Sequence, residues 1–371
     1  MRVGFVVPEP GGTPSGGHTY NDRVLRHWAE RGHPAQAVTV GGGWPHPDDA
    51  ARERLAAALR EHPVSLVDGL VGACCPQQIQ EAVATGHQVV LLIHLPLADE
   101  TGLALDQARD LEGLERWAAH AATAVVATSQ TAAEDVRRRH ELPRVGAVPP
   151  GADPRPIAPG SVPEPGGALD GSDAAGDAPR LGVLASVTPR KNQSGLVEAL
   201  AVLADRAWTA EFVGPQPDPA YAAPVRDRAA ALGLANRIAL PGVLDDADLE
   251  RFWSRLDLLV LPSLHETYGL VVTEALAHGI PAVVSRGTGA VEALTGTPCD
   301  GVDPADPAGA LIDPRSREDM ARVLGGWLDE ETTRTTWRAR ALARRADLRP
   351  WSAAADELWE FVQAVSAGPG A

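Results

Sequence analysis

The chain has a single lysine, Lys191, among 371 residues, and its formal net charge is −16. That acidic balance weighs against nucleic acid and against electrostatic docking on anionic lipid, since both reward a basic face. Two local basic clusters exist, Arg137-Arg138-Arg139 and Arg338, Arg340, Arg344 and Arg345. Both lie on polar helical stretches and read as solvated faces. Cysteine is nearly missing: Cys74, Cys75 and Cys299 offer neither a disulfide framework nor zinc spacing, and the adjacent pair reads as small buried apolar residues. No run of 18 apolar residues occurs, so no membrane span is expected. The opening MRVGFVVPEPGG lacks a basic region ahead of a long apolar core and reads as a first strand, not as a signal peptide. A cytoplasmic location is the resulting expectation, with no strong membrane association. Scarce Lys beside abundant Ala, Gly, Pro and Arg suggests a GC-rich bacterial genome.

What is present is a length that favours two domains and a 44% hydrophobic content sufficient for packed cores. Short apolar runs alternate with helical patterns, the signature of an α/β class with doubly wound parallel sheets. Strands are expected at 3–7, 35–40, 64–67, 88–93, 124–127 and 145–148, then at 181–185, 209–213, 237–240, 256–261 and 281–284. Helices are expected between them, among others at 19–31, 48–60, 104–120, 193–203, 219–232, 245–253 and 273–278. A Pro/Gly/Ala/Asp/Ser stretch at 154–179 reads as a flexible linker between a domain at 1–153 and one at 180–350. The stretch Pro350-Trp351-Ser352 and the residues after it read as a capped amphipathic helix with Leu358, Phe361 and Val362 on its apolar face.

Chemistry concentrates where strands end. Ser263–Glu274, SLHETYGLVVTE, follows an apolar strand and leads into a helix. Glu266 then sits in a loop at the carboxyl end of a buried strand, where open α/β sheets bind ligands. Glu274 falls near the start of the next helix. Its position suits either a ligand contact or the helix dipole alone. A glycine-containing loop before a helix offers N–H groups to an anion. Gly16 and Gly17, after the first strand, permit close backbone approach and positive φ, or simply turn the chain. The G-x-G-x-x-G fingerprint of a nicotinamide dehydrogenase is missing there. His94 closes a strand and could be a hydrogen-bond partner, an acid/base or a satisfied core residue. Arg190 and Lys191 stand after the first strand of the second half, a fork and a point charge suited to phosphate. Asp245-Asp246-Ala247-Asp248 opens a helix and reads as capping, and no cluster has metal-ligand spacing.

Taken together, these motifs resemble the family 4 retaining glycosyltransferases of GT-B fold. The likeness runs through Gly16-Gly17, His94, VVATS ending at Ser129, VPPGAD, TPRK, the FVG ending at Gly214, the PGV starting at Pro241, LVLPSLHETYGLVVTEALAHGIPAVVS and ALIDP. Glu266 and Glu274 carry the family's E-x7-E motif. The resemblance implies two Rossmann-like domains facing across a cleft, with the helix at 351–367 crossing back to the first. It implies transfer of a sugar from a nucleotide-sugar donor, UDP-sugar first, to a small-molecule or glycan acceptor, with no metal or other cofactor. Glu274 would hold the ribose, and Glu266 the distal hydroxyls of the donor sugar. The amides of Tyr268, Gly269 and Leu270 would meet phosphate or sugar oxygens. Lys191 with Arg190 would neutralise the diphosphate, which Gly17 also faces, and His94 would lie near the reacting carbon. Ser186 stands where many relatives have arginine, and Pro150 where asparagine is usual. A nucleotide-sugar 2-epimerase and a non-catalytic nucleotide-sugar binder are the alternatives on this fold. A phosphorylase would need its pyridoxal on Lys191, already placed at the diphosphate.

Overall fold

The computed structural model describes residues 2–9, 11, 15–161, 178–299 and 304–367. The chain divides into two compact units, Met1–Gly151 with Arg349–Ala371, and Ala152–Leu348. The first unit runs β1 (Val3–Pro8), α1 (Gly16–Glu30), β2 (Ala35–Val40), α2 (Asp49–Glu61), β3 (Val64–Asp68), α3 (Gly69–Gly72), α4 (Pro76–Ala84), β4 (Gln88–Ile93), α5 (Leu105–Ala121), β5 (Ala124–Ala127), α6 (Gln130–Arg139) and β6 (Gly146–Ala147). The second runs β7 (Arg180–Leu184), α7 (Gln193–Val202), β8 (Thr209–Val213), α8 (Pro219–Ala231), β9 (Ile238–Gly242), α9 (Asp246–Arg255), β10 (Leu258–Leu261), α10 (Leu270–Ala277), β11 (Ala282–Ser285), α11 (Ala290–Thr295), β12 (Gly309–Ile312), α12 (Arg317–Asp329) and α13 (Glu331–Ala346). A last helix, α14 (Trp351–Ala367), belongs to the first unit.

Among the described residues each unit holds one six-stranded sheet, in the orders β2-β1-β3-β4-β5-β6 and β12-β11-β10-β7-β8-β9, with all paired strands parallel. Central strands are apolar throughout because helices cover both faces of a parallel sheet. In the second unit alternate residues of one strand feed two separate cores. Leu258 and Val260 join Val183, Trp208 and Leu324 on one face, while Leu259 and Leu261 join Val272, Leu276 and Val284 on the other. In the first unit Val6, Val67, Leu91 and Ile93 pack with Leu55, Leu59 and Ile79. The helix α14 lies on α1: the Trp28 indole N–H donates to the Ala355 carbonyl at 2.8 Å, and Trp28 meets Trp359 edge-on at 5.2 Å.

Several boundaries differ from the sequence expectation, each for a local reason. Helix α1 begins at Gly16 and not at Thr19, because the Ser15 hydroxyl accepts the His18 N–H and caps it. Helix α10 begins at Leu270 and not at Thr273, because Gly269 takes the N-cap with φ +85°. Helix α14 starts at Trp351, which puts Ser352 inside the helix and not at its cap. The expected strand 145–148 pairs only over Gly146–Ala147. Of the expected linker, 162–177 lie outside the described residues. Its described start is tied to the second unit: the Ala158 N–H donates to His278 O at 2.9 Å and the Gly160 N–H to Ser254 O at 3.0 Å.

Candidate functional site

In the second sheet the chain builds outward from β7 to β9, then returns to lay β10, β11 and β12 on the other side. The loops after β7 and β10 therefore part at the carboxyl ends of adjacent strands, the crevice in which such sheets take ligands. The β7 loop ends in a single 3-10 turn, Pro189–Lys191, followed by Asn192 in the left-handed region at φ +57°. Asn192 tolerates that conformation, and its amide Nδ2 donates to Pro262 O at 3.3 Å and Pro314 O at 2.7 Å. The Leu264 N–H donates to Arg190 O at 2.7 Å. The two loops are thus sewn together by backbone and amide bonds.

Across that seam the Lys191 ammonium donates to Glu266 Oε2 at 2.6 Å, with side chains only 14% and 11% exposed. Burial alone would raise the Glu266 pKa. The Lys191 charge, and then that of Arg190, outweigh it and hold the carboxyl below its usual range. Arg190 reaches His265 O through Nη1 at 3.4 Å, while its Nε is buried without a hydrogen-bond partner. The Glu266 carbonyl accepts the Gly289 N–H at 2.7 Å, and a Cβ on Gly289 would run into Thr267 O. Buried Tyr268 and Gly269 complete the approach to α10. Glu274 is the fifth residue of that helix, so the first-turn dipole reading no longer accounts for it. The structure thus brings Arg190, Lys191, Glu266, Tyr268, Gly269 and Leu270 onto two adjoining loops, with Glu274 one turn further on. Gln193 closes the β7 loop behind them, its amide donating to Ser186 O at 2.9 Å.

In the first sheet the order turns between β1 and β3. Gly16 and Gly17 form the first turn of α1 with ordinary φ, which corrects their reading as loop glycines of positive φ. Gly17 is small for another reason: a Cβ there would lie 3.2 Å from His94 Cδ2. His94 follows β4, and Tyr20 meets its ring edge-on at 5.2 Å. Burial pushes the His94 pKa down; Asp68 opposes this and His18 adds to it. The loop beyond is anchored by Glu115, which the sequence does not single out, and by Arg139, whose largely buried side chain departs from the solvated face its basic cluster suggested. Glu115 Oε2 accepts the Leu97 N–H at 2.9 Å, while Glu115 Oε1 lies 2.7 Å from His140 Nε2 and Arg139 grips Asp99 through two bonds at 3.0 and 3.2 Å.

Nor does the sequence single out Asn21, Asp68 or Asn192. Asp68 carries the same signal as His94, a polar residue ending an apolar strand; Asn192 has only its adjacency to Lys191. Elsewhere, Asp245 caps α9 by accepting the Asp248 N–H at 2.8 Å, and Cys74 and Cys75 are buried. Among the described residues no group of three or more His, Cys, Asp or Glu side chains could hold a metal ion, and no helix is long and apolar enough to cross a membrane.

Residues 170–344 match the family model for glycosyl transferases group 1. That stretch lies largely within the unit that carries Lys191 and Glu266, which is therefore similar to the group 1 glycosyltransferases, and the chain as a whole has the GT-B fold. A D-inositol 3-phosphate glycosyltransferase of Stackebrandtia nassauensis is 31% identical over 59% of this chain and 48% of its own length. The 2-deoxystreptamine glucosyltransferase of Streptomyces kanamyceticus is 30% identical over 41% of this chain and 37% of its own. The alignments with the first curated relatives span only about half the length of those proteins, 48% and 59%. Among solved structures, sucrose-phosphate synthase from Thermosynechococcus elongatus superposes with a TM-score of 0.76 at 16% identity, covering 100% of both chains. HepE from Anabaena in complex with UDP gives 0.70 at 16% identity, over 98% of this chain and 100% of that one.

Proposed function

We propose that this chain is a family 4 glycosyltransferase. It moves a sugar, with retention of anomeric configuration, from a UDP-sugar to an acceptor hydroxyl without a metal ion. The observation that carries the proposal is the largely buried Lys191–Glu266 pair across the β7 and β10 loops, with Arg190 beside it. A diphosphate leaving as an anion needs fixed positive charge in a partly dry site, and such preorganised charge is the largest catalytic contribution in many enzymes. Lys191 and Arg190 supply it, with the amides of Tyr268, Gly269 and Leu270 meeting phosphate or sugar oxygens. Glu266 and Glu274 accept hydroxyl hydrogens, Glu266 from the donor sugar and Glu274 from the ribose. By the family resemblance, His94 and Gly17 would also contact the donor.

In the step itself the acceptor oxygen bonds the anomeric carbon on the face the diphosphate leaves. The carbon–oxygen bond to the β-phosphate breaks, and the acceptor proton passes to a phosphate oxygen. HepE, of the same fold, was solved with UDP, which favours uridine as the base. D-inositol 3-phosphate and 2-deoxystreptamine, named in two relatives, are the first acceptors to test, alongside glycans. Proton NMR of the product tests the reading: the new linkage should keep the donor's anomeric configuration, and inversion would sink it. Donor consumed to an epimer without any acceptor would instead identify an epimerase, and binding without turnover a sugar-nucleotide sensor.

A further inference from the structure

We propose that Asn21 and Asp68 are positioning residues that hold His94 as a neutral imidazole with its proton on Nε2, making Nδ1 the accepting nitrogen. The three residues come from α1, the end of β3 and the exit of β4, and they meet where the strand order of the first sheet turns. Hydrogen-bond directions fix one another along the chain of contacts. Asp68, 3% exposed, accepts the Leu70 N–H at 2.8 Å and the Asn21 amide Nδ2 at 2.6 Å. With Nδ2 spent on the carboxylate, Asn21 must turn its carbonyl Oδ1 to His94. That oxygen lies 2.9 Å from His94 Nε2 and has no hydrogen to give. Asp68 Oδ2, a second acceptor, stands 3.5 Å from the same nitrogen. Nε2 must therefore be the donor. The reversed amide would bring Oδ1 against the carboxylate, two acceptors at 2.6 Å in a buried place. Tyr20 packs edge-on against the imidazole ring at 5.2 Å. A neutral imidazole without a proton on Nδ1 is an acceptor on that side, the chemistry a substrate hydroxyl requires. Only this last step rests on the proposed transferase activity.

The test is a long-range proton–nitrogen correlation spectrum of the histidine rings in the full-length labelled protein, with His94 assigned by His94→Gln. Wild type should show the Nε2–H tautomer. In Asp68→Asn the new amide can donate to Asn21 Oδ1, so Asn21 can turn its NH2 to His94 and drive the proton to Nδ1. In Asn21→Leu, which offers neither group, the two tautomers should mix. If either variant fails to fold, the other decides. An unchanged Nε2–H tautomer in a folded variant overturns the proposal. Transfer assays then separate the two readings. Turnover should drop at least tenfold in Asp68→Asn with donor KM within about twofold, a split expected when a transition-state contact is lost. Tautomers that shift as expected in a protein with no transferase activity would leave the positioning intact and remove the proposed function.

Discussion

At Gly17 one methyl group separates stability from activity. Alanine is the better helix former by up to about 1 kcal/mol, and α1 would tolerate it. Its Cβ, however, would stand 3.2 Å from His94 Cδ2 and push the ring. Gly17→Ala should leave the melting temperature unchanged or slightly raised while lowering turnover roughly tenfold, since a misplacement of about 1 Å at a reacting centre can cost more than that. Calorimetry beside initial rates reads both, and an unchanged rate would show that His94 does not need that space. Lys191 is the opposite case, where the two losses go together. Lys191→Ala leaves Glu266 largely buried without its main counter-charge. Breaking a buried pair from one side costs about 3 kcal/mol, and losing charge at a leaving group costs roughly 100-fold or more in turnover. Urea denaturation and steady-state rates measure these; a variant as stable and as fast as wild type would remove Lys191 from the site.

At the scale of elements, the loop from β10 into α10 depends on Gly289. Its N–H holds the Glu266 carbonyl, and a side chain there would collide with Thr267 O. Gly289→Ala must move the backbone that aims Glu266, so nucleotide affinity should fall at least tenfold with the rest of the fold retained. Isothermal titration with UDP beside circular dichroism checks this, and wild-type affinity would mean the loop relaxes without consequence. The apolar runs of the buried strands are legible because a parallel sheet covered on both faces repeats them. The E-x7-E segment is legible because one loop and one helix hold both carboxylates. Helix starts are not, because Ser15 and Gly269 cap from outside the periodic pattern, and this is why Gly16 and Gly17 pass for loop. Asn21 is invisible for a different reason: its partner Asp68 is 47 residues away, and no local spacing records a bond across the turn of a sheet.

Across the whole molecule, each unit carries its own core and its own largely buried titrating groups, so acid and ligand should address them separately. His94 in the first unit has a depressed pKa, so the folded state takes up its proton less readily than the unfolded chain. Its contribution is complete above the ordinary imidazole value, and falls as the pH drops below about 6.5. Glu266 in the second unit is also depressed, so its contribution is lost only as the pH falls through the carboxylate range, near pH 4. Urea midpoints should therefore decline on acidification in two stages, the first made smaller by His94→Gln while His278, also depressed by burial, keeps a part of it; midpoints that rise from pH 7 to 5 would contradict the His94 assignment. A nucleotide works in the other direction. Ligand at about 100 times its Kd stabilises the state that binds it by about 2.7 kcal/mol, so in a panel of nucleoside diphosphates UDP should give the largest thermal shift. Hydrogen exchange places that shift within the molecule. With UDP bound, protection should rise in the loops 185–192 and 262–270, where Lys191 and Glu266 meet. A thermal shift accompanied by no protection in either loop would mean that the nucleotide is bound elsewhere and that the β7–β10 crevice is not the donor site.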